Sequence, residues 1–321
     1  MKNNSPQYSP VYCESVVAAS GLCNANTEWE PAGYSFHHPS PVAVFVQYKP
    51  FSLEFLMPNF AKIGLILCGL MISMVSVQAA DLPDLGGKKV VVVTENAYPP
   101  LQFVDPKSGK AIGWEYDAVA EMAKRLNMVV EYQNTSWDAM ISAVSDGQYD
   151  MGMTGITIKE DRAKKVDFSD AYMRSEMFMM VRGDETRFND AKSFAAFEEG
   201  LVGAQAGTTP FYVAVYNVLD GNEQNSRIKL METFGAQVQA LKTGDVDVVL
   251  TDGTAGNGYV DASNGGLKLV GGALGTEDFG FIFPKGSDLV VPFNAAIAAM
   301  KADGSIDALN KKWFLDYKFG Q

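Results

Sequence analysis

Beyond residue 80 the chain contains no cysteine and no histidine, since Cys13, Cys23, Cys68, His37 and His38 all precede that point. Thiol chemistry, disulfides, a Ser-His-Asp triad and the usual zinc sites are thereby excluded from the remainder. Any catalysis there would fall to carboxylates, lysine or tyrosine. Phosphate-loop and calcium-loop patterns are missing too: Gly109-Lys110 lacks the upstream glycine, and Asp245-Val-Asp247 lacks the further oxygen ligands. No metal and no cofactor is expected. Positive charge is also scarce. Of 26 basic and 38 acidic residues, 3 and 4 lie in the first 80, leaving 23 against 34 and a net charge near −11. Nucleic acid is therefore not an expected partner.

Long apolar runs are absent as well. Residues 63–77 form an apolar stretch of only 15, short for a membrane span. Lys62 precedes it, and Val77-Gln-Ala79 or Gln78-Ala-Ala80 follows with small residues suited to cleavage. This is the anatomy of a secretory signal peptide over 57–80, starting at Met57, with an uncleaved anchor as the alternative. Cys68 follows Leu67, a poor context for lipid attachment. Residues 1–56, with Pro and Ser scattered without period, read as an upstream extension outside the fold. About 240 residues remain, enough for two modest lobes.

What the sequence does hold is a strand that empties into small polar residues, a helix start and an arginine, within residues 147–172. Strand 150–153 leads to Thr154, Gly155 and Thr157, and Thr157 with Glu160 has capping-box spacing. Such a loop leaves backbone N–H groups free, and Arg162 one turn on could grip a carboxylate with its planar fork. The alternative is a capped surface helix whose Arg162 pairs with Asp161 or Asp167. A second copy favours the first reading. Gly147-Gln-Tyr-Asp150-Met-Gly-Met-Thr154 is echoed by Gly244-Asp-Val-Asp247-Val-Val-Leu-Thr251, each after an amphipathic helix. Upstream lie strand 90–93, helix 116–126 and strand 128–132 in one case, and strand 201–204, helix 210–219 and strand 228–231 in the other. Apolar strands alternating with helices predict two α/β lobes with parallel sheets covered on both faces. Ligands bind beyond the carboxyl ends of such strands, which here means loops 94–100, 154–162, 205–209 and 251–252.

In order along the chain stand Thr94-Glu-Asn-Ala-Tyr-Pro-Pro100, Gly113-Trp-Glu-Tyr-Asp117, Trp137-Asp-Ala-Met-Ile141, Gly155-Ile-Thr-Ile-Lys-Glu-Asp-Arg162, Val166-Asp-Phe-Ser169 and Gly207-Thr-Thr209. Lys301-Ala-Asp-Gly-Ser305 and Lys312-Trp-Phe314 close the set. This resembles the polar amino-acid family of bacterial periplasmic solute-binding proteins, over about residues 88–314. The resemblance implies a two-lobed type II clamshell, each lobe built on a βαβ-based parallel sheet, with hinge crossings near 176–181 and 275–280. Lobe 1 would comprise 81–177 plus 279–321, and lobe 2 residues 182–274. It implies that Arg162, Thr157 and the backbone of Gly155 hold a ligand α-carboxylate, joined by Thr209. Asp252 would take the α-ammonium, with a simple turn residue as the alternative. Tyr98 and Trp137 would form an aromatic wall unless they serve core packing, and Glu95 and Gln205 would line the side-chain pocket. A desolvated zwitterion needs such opposed partners.

The expected partners are a free amino acid and the permease subunits of an ABC transporter in the inner membrane, with the protein a periplasmic monomer. Glu95 is one methylene longer than the family's usual aspartate, and with Gln205 it suggests a polar or cationic ligand side chain. Glu115 and Asp117 read as charges at a helix N-terminus, and Arg174 as solvent-facing. Replacing Arg162 or Asp252 by alanine is expected to abolish binding with the fold intact. Two alternatives stay open: a cyclohexadienyl or arogenate dehydratase with Glu95 as general acid, and a ligand receptor for a membrane sensor. A likeness of Ser226-Arg-Ile-Lys229 and Lys242-Thr-Gly244 to penicillin-binding motifs fails, because no Ser-Asp-Asn lies between them.

Overall fold

A computed structural model of the chain describes residues 82–318. The extension and signal-peptide readings, at 1–80, lie outside the described residues. The chain opens with β1 (Lys88–Thr94), whose apolar run is buried at Val90, Val92 and Val93. A small meander follows, β2 (Ala97–Tyr98), β3 (Gln102–Val104) and β4 (Ala111–Ile112). Gly113 then turns the chain into α1 (Trp114–Arg125) at φ 145°, where a Cβ would stand 2.2 Å from the Leu101 carbonyl oxygen, so only glycine fits. Trp114, Ala118, Val119 and Met122 form the buried stripe of α1, with acids in its first turn and Lys124 and Arg125 in its last. Next come β5 (Met128–Asn134), α2 (Trp137–Ser145), β6 (Met151–Gly152), α3 (Glu160–Ala163), β7 (Val166–Phe168) and β8 (Met173–Arg182).

The same plan repeats with α4 (Ala191–Ala196), β9 (Val202–Ala204), α5 (Thr209–Val213), β10 (Ile228–Leu230), α6 (Phe234–Thr243), β11 (Val248–Asp252), α7 (Gly253–Ala262) and β12 (Leu267–Val270). The chain returns through β13 (Thr276–Phe279) and β14 (Ile282–Pro284) and continues through α8 (Val290–Ala302), α9 (Ser305–Asn310) and a π-helical segment, Lys311–Asp316. In one sheet β5 and β6 flank β1 in parallel, and in the other β10 and β11 flank β9 in parallel, so the internal echo in the sequence is an echo of topology. The sheets are not wholly parallel. β14 enters the first antiparallel to β6 and β7, and β8 enters the second antiparallel to β11 and β12. The odd strands are those fed by the chain as it passes between sheets and arrives from the opposite direction.

That passage is a paired ribbon. Residues 173–176 of β8 pair with β13 in the register Met173↔Phe279 to Glu176↔Thr276, while the rest of β8 lies inside the second sheet. The first crossing therefore sits earlier than the expected 176–181. β8 is a single strand serving both halves, with no turn in the sequence to mark where one duty ends. Helix 210–219 is also modified: α5 gives way to a wider π-helical turn over Ala214–Val218. Apolar residues of β1 and α1 share one core with Phe293, Met300 and Trp313 from the chain's end, so the C-terminal helices pack on the first sheet.

Candidate ligand-binding site

The loops beyond β1, β6 and β9, with the start of α2, meet around one cavity whose volume open to the centre of a water molecule is about 50 Å³. Glu95, Tyr98, Trp137, Gly155, Thr157, Arg162, Gln205 and Thr209 line it, and so does Glu277 on the returning strand β13. The two halves touch here directly. Thr157 Oγ1 and Thr209 Oγ1 are 2.7 Å apart, and Gln205 Nε2 donates to Glu95 Oε1 at 2.9 Å.

Arg162 is only 5 % exposed although it stands on a four-residue helix. Its guanidinium lies 4.8 Å from the Trp137 ring centroid and donates to the carbonyls of Thr157 (3.0 Å) and Gly207 (3.2 Å). Of its five N–H donors several remain for an anion. Burial works against its charge, while Asp161 and Glu277 support it. Trp137 is thus at once a cavity wall and the platform for the cation.

The capping box does not form. Lys159 is the N-cap of α3 and no side chain caps that helix. Instead residues 156–158 are drawn out alongside β13, with Ile158 N–H donating to the Asp278 carbonyl at 2.8 Å and Gly280 N–H to that of Ile156 at 3.0 Å. The Thr157 hydroxyl turns to Thr209 and donates to Glu277 Oε2 at 2.6 Å. Nor is the Gly155 N–H free for a carboxylate, because it donates to Glu115 Oε1 at 3.0 Å. Cross-strand pairing outcompeted the local cap, so a guanidinium and hydroxyls rather than bare amides face the cavity here.

Glu115 is accordingly more than a helix-end charge. It is fully buried beneath the Gly155 loop, also accepts from Tyr172 Oη at 2.5 Å, and its Oε2 has no hydrogen-bond partner among the described residues. Burial pushes this carboxyl up to about 7, against the two hydrogen bonds. An unfolded glutamate titrates near 4.5, so between about pH 4.5 and 7 the folded state holds more protons, and stability contributed by protonated Glu115 is lost as pH rises through that window. Glu115→Gln should flatten this part of the profile, which amounts to about 3 kcal/mol. Urea unfolding of both proteins at pH 5 and 8 checks it, and parallel profiles count against it. Asp117, by contrast, stays at the helix surface and takes Lys312 and Trp313. Arg174 is exposed and paired with Asp278 at 2.8 Å.

Asp252 departs most from expectation. It does not line the cavity but is fully buried behind Tyr98, whose hydroxyl donates to it. Its Oδ1 accepts from the backbone of Thr254 (2.8 Å) and Ala255 (3.2 Å) and from Ser175 (3.2 Å), which makes it the N-cap of α7. Tyr98 itself packs edge-on against Phe234, ring centroids 5.0 Å apart. Of the two neighbouring acids, Glu277 and not Asp252 lines the cavity, at 6 % exposure. Burial and the neighbouring Asp252 charge push its carboxyl up to about 7. Burial also raises Asp252. Of the two, Asp252 has far more donors around it, so it holds a charge more readily than Glu277. Glu277 escaped the sequence reading because it lies on a crossing. The available signal was alternation, since Glu277 and Phe279 fall on one face of an extended segment.

The family model for bacterial extracellular solute-binding proteins, family 3, matches residues 90–316. The chain is 31 % identical over 227 residues to the L-cystine-binding protein TcyA of Bacillus subtilis (strain 168), covering 70 % of this chain and 81 % of that one. Among solved structures, the arginine-, lysine-, histidine-binding protein ArtJ of Geobacillus stearothermophilus superposes with a TM-score of 0.64 at 29 % identity, covering 71 % of this chain and 95 % of ArtJ. The ancestral amino acid-binding protein AncCDT-1, a precursor of cyclohexadienyl dehydratase, gives a TM-score of 0.63 at 30 % identity and covers 70 % and 95 %.

Proposed function

The chain belongs to family 3 of the bacterial extracellular solute-binding proteins, and on that premise we propose that it binds a free amino acid between its two sheets. It then hands that ligand to the permease of an ABC transporter. One observation carries this reading: a buried, Trp137-stacked Arg162 shares one cavity with Glu277 and Glu95, at the carboxyl ends of the parallel strands of both sheets. A guanidinium and hydroxyls suit the ligand's carboxylate, and acids suit its ammonium. With two carboxyl groups against one guanidinium in the lining, a polar or basic side chain is favoured. Glu95, Trp137 and Gln205 also border an outer groove with Asp138 and Glu232, which gives such a side chain an acidic exit.

The inner volume is small, room for a few waters, which supports a cycle in which the β8–β13 ribbon flexes to admit ligand. The protein acts outside the inner membrane as a monomer, exported through the leader at 57–80. No helix among the described residues is long and apolar enough to cross a membrane.

A thermal-shift screen against the twenty amino acids, L-cystine and L-ornithine tests the assignment. A ligand at about 100 times its dissociation constant adds about 2.7 kcal/mol, or roughly 5–10 °C in a unit this size. A flat response across the panel overturns the reading. The dehydratase alternative has one point in its favour, that burial raises the Glu95 carboxyl toward general-acid use. Incubating the protein with arogenate or prephenate and finding no aromatic product would remove it.

A further inference from the structure

Phe234, Gln237, Val238 and Leu241 form the buried stripe of α6, at the spacing of a helix face turned to a core. Phe234, Val238 and Leu241 fill that core with Val246 and Val249, whereas Gln237, 3 % exposed, puts a polar side chain where the pattern calls for an apolar one. Burying an amide is unfavourable unless it is hydrogen-bonded. Among the described residues the Gln237 amide has no hydrogen-bond partner, yet neither of its polar atoms is sealed off, and the residue lines the ligand cavity beside Phe234. The amide therefore opens onto the cavity. Its stem is held in place: a Cβ on Gly203 of β9 would stand 3.6 Å from the Gln237 Cβ, and Thr233 caps the helix by accepting from the Ala236 N–H at 3.2 Å. Neighbouring polar groups of the lining are already engaged. The Gln205 NH2 donates to Glu95 and to the Glu232 carbonyl, the Thr154 hydroxyl accepts from Gln102, and the Thr208 hydroxyl donates to the Gln205 carbonyl.

We infer that Gln237 is a specificity-determining residue that reads the end of the ligand's side chain and selects a carboxamide there, an inference that rests on the amino-acid reading above. The ligand's charged groups have charged partners in Arg162 and the acids, which leaves the neutral amide to the side chain. A primary amide offers N–H donors and a carbonyl acceptor. A second carboxamide laid against it satisfies both sides. An ammonium or guanidinium end meets the carbonyl but leaves the NH2 unpaired, a carboxylate end does the reverse, and an alkyl end strands both. Sites built to hydrogen-bond a ligand group reject analogues lacking it, because the site's own polar atoms are then left buried and bare. Tyr98 and Phe234, in edge contact with ring centroids 5.0 Å apart, add apolar wall for the methylenes that precede the amide.

The experiment is calorimetric titration of the unsubstituted protein and of Gln237→Leu with L-glutamine and with L-homoleucine, in which an isopropyl group of the same branching replaces the carboxamide. L-Arginine and L-glutamate complete the panel. The unsubstituted protein should prefer L-glutamine to L-homoleucine by about tenfold to a hundredfold, with the charged pair between them. In Gln237→Leu that preference should vanish, L-homoleucine gaining as L-glutamine loses. The variant should melt no lower than its parent, because leucine completes the apolar stripe of α6. Gln237→Met, unbranched and close in length, repeats the comparison with a side chain that adapts to the space. A preference unchanged in both variants overturns the assignment, as does loss of both ligands by the same factor, which marks a structural residue. Tighter binding of L-homoleucine or L-arginine than of L-glutamine by the unsubstituted protein also overturns it, as does a thermal shift with some other amino acid and no heat from L-glutamine. A flat thermal response to all twenty amino acids instead overturns the amino-acid reading beneath it.

Discussion

Arg162→Ala should abolish amino-acid binding, with at least a hundredfold loss of affinity by calorimetric titration and a melting temperature little changed. The size of the effect follows from burial. A guanidinium at 5 % exposure, braced by Trp137 and two carbonyls, has already lost its hydration before ligand arrives. Removing one member of a buried, hydrogen-bonded charge pair costs about 2–5 kcal/mol. Arg162→Lys should fall between, because it restores charge without the planar fork. The fold should tolerate the loss because α3 has only four residues, and the local backbone is held by pairing to β13 rather than by the arginine. Wild-type affinity in Arg162→Ala would remove the anion pole from the proposal.

Asp252→Ala should behave differently, because Asp252 lies behind Tyr98 rather than in the cavity lining. Binding is expected to suffer, but through the fold. Asp252 caps α7 by bonding the Thr254 and Ala255 amides and receives the Tyr98 and Ser175 hydroxyls. Loss of an N-cap costs about 1 kcal/mol, and buried donors left without an acceptor cost about 1–3 kcal/mol more. Urea unfolding should show a deficit of about 2–4 kcal/mol, with Tyr98 released from its position against the cavity. Asp252→Asn keeps an acceptor and should recover part of that stability. An alanine variant as stable as its parent, yet unable to bind, would return Asp252 to the role of direct ligand contact.

Much of the architecture was legible because it rests on local pattern. The valine run of β1, the periodic stripe of α1 and the paired Gly-x-x-Asp strands each depend on neighbours within a few turns. Parallel pairing of β5-β1-β6 and β10-β9-β11 follows from helices placed between apolar strands. Polar loops at the strand ends, and Arg162 among them, could be picked out on the same grounds. The capping box misled because Thr157-x-x-Glu160 satisfies a local rule that pairing with a strand more than a hundred residues away overrides.

The sequence by itself determined two α/β halves, the absence of thiol and imidazole chemistry beyond residue 80, and an arginine beyond a strand end. Only the tertiary structure decided which acid faces it. Asp252 and Glu277 are both carboxylates near strand ends, and nothing in composition or spacing ranks them. The choice was made when Tyr98 closed over one, and when β13, crossing back between the sheets, carried the other into the cavity. Long-range contacts assign such roles because burial and hydrogen-bond supply, rather than residue type, set where a carboxyl's charge can reside.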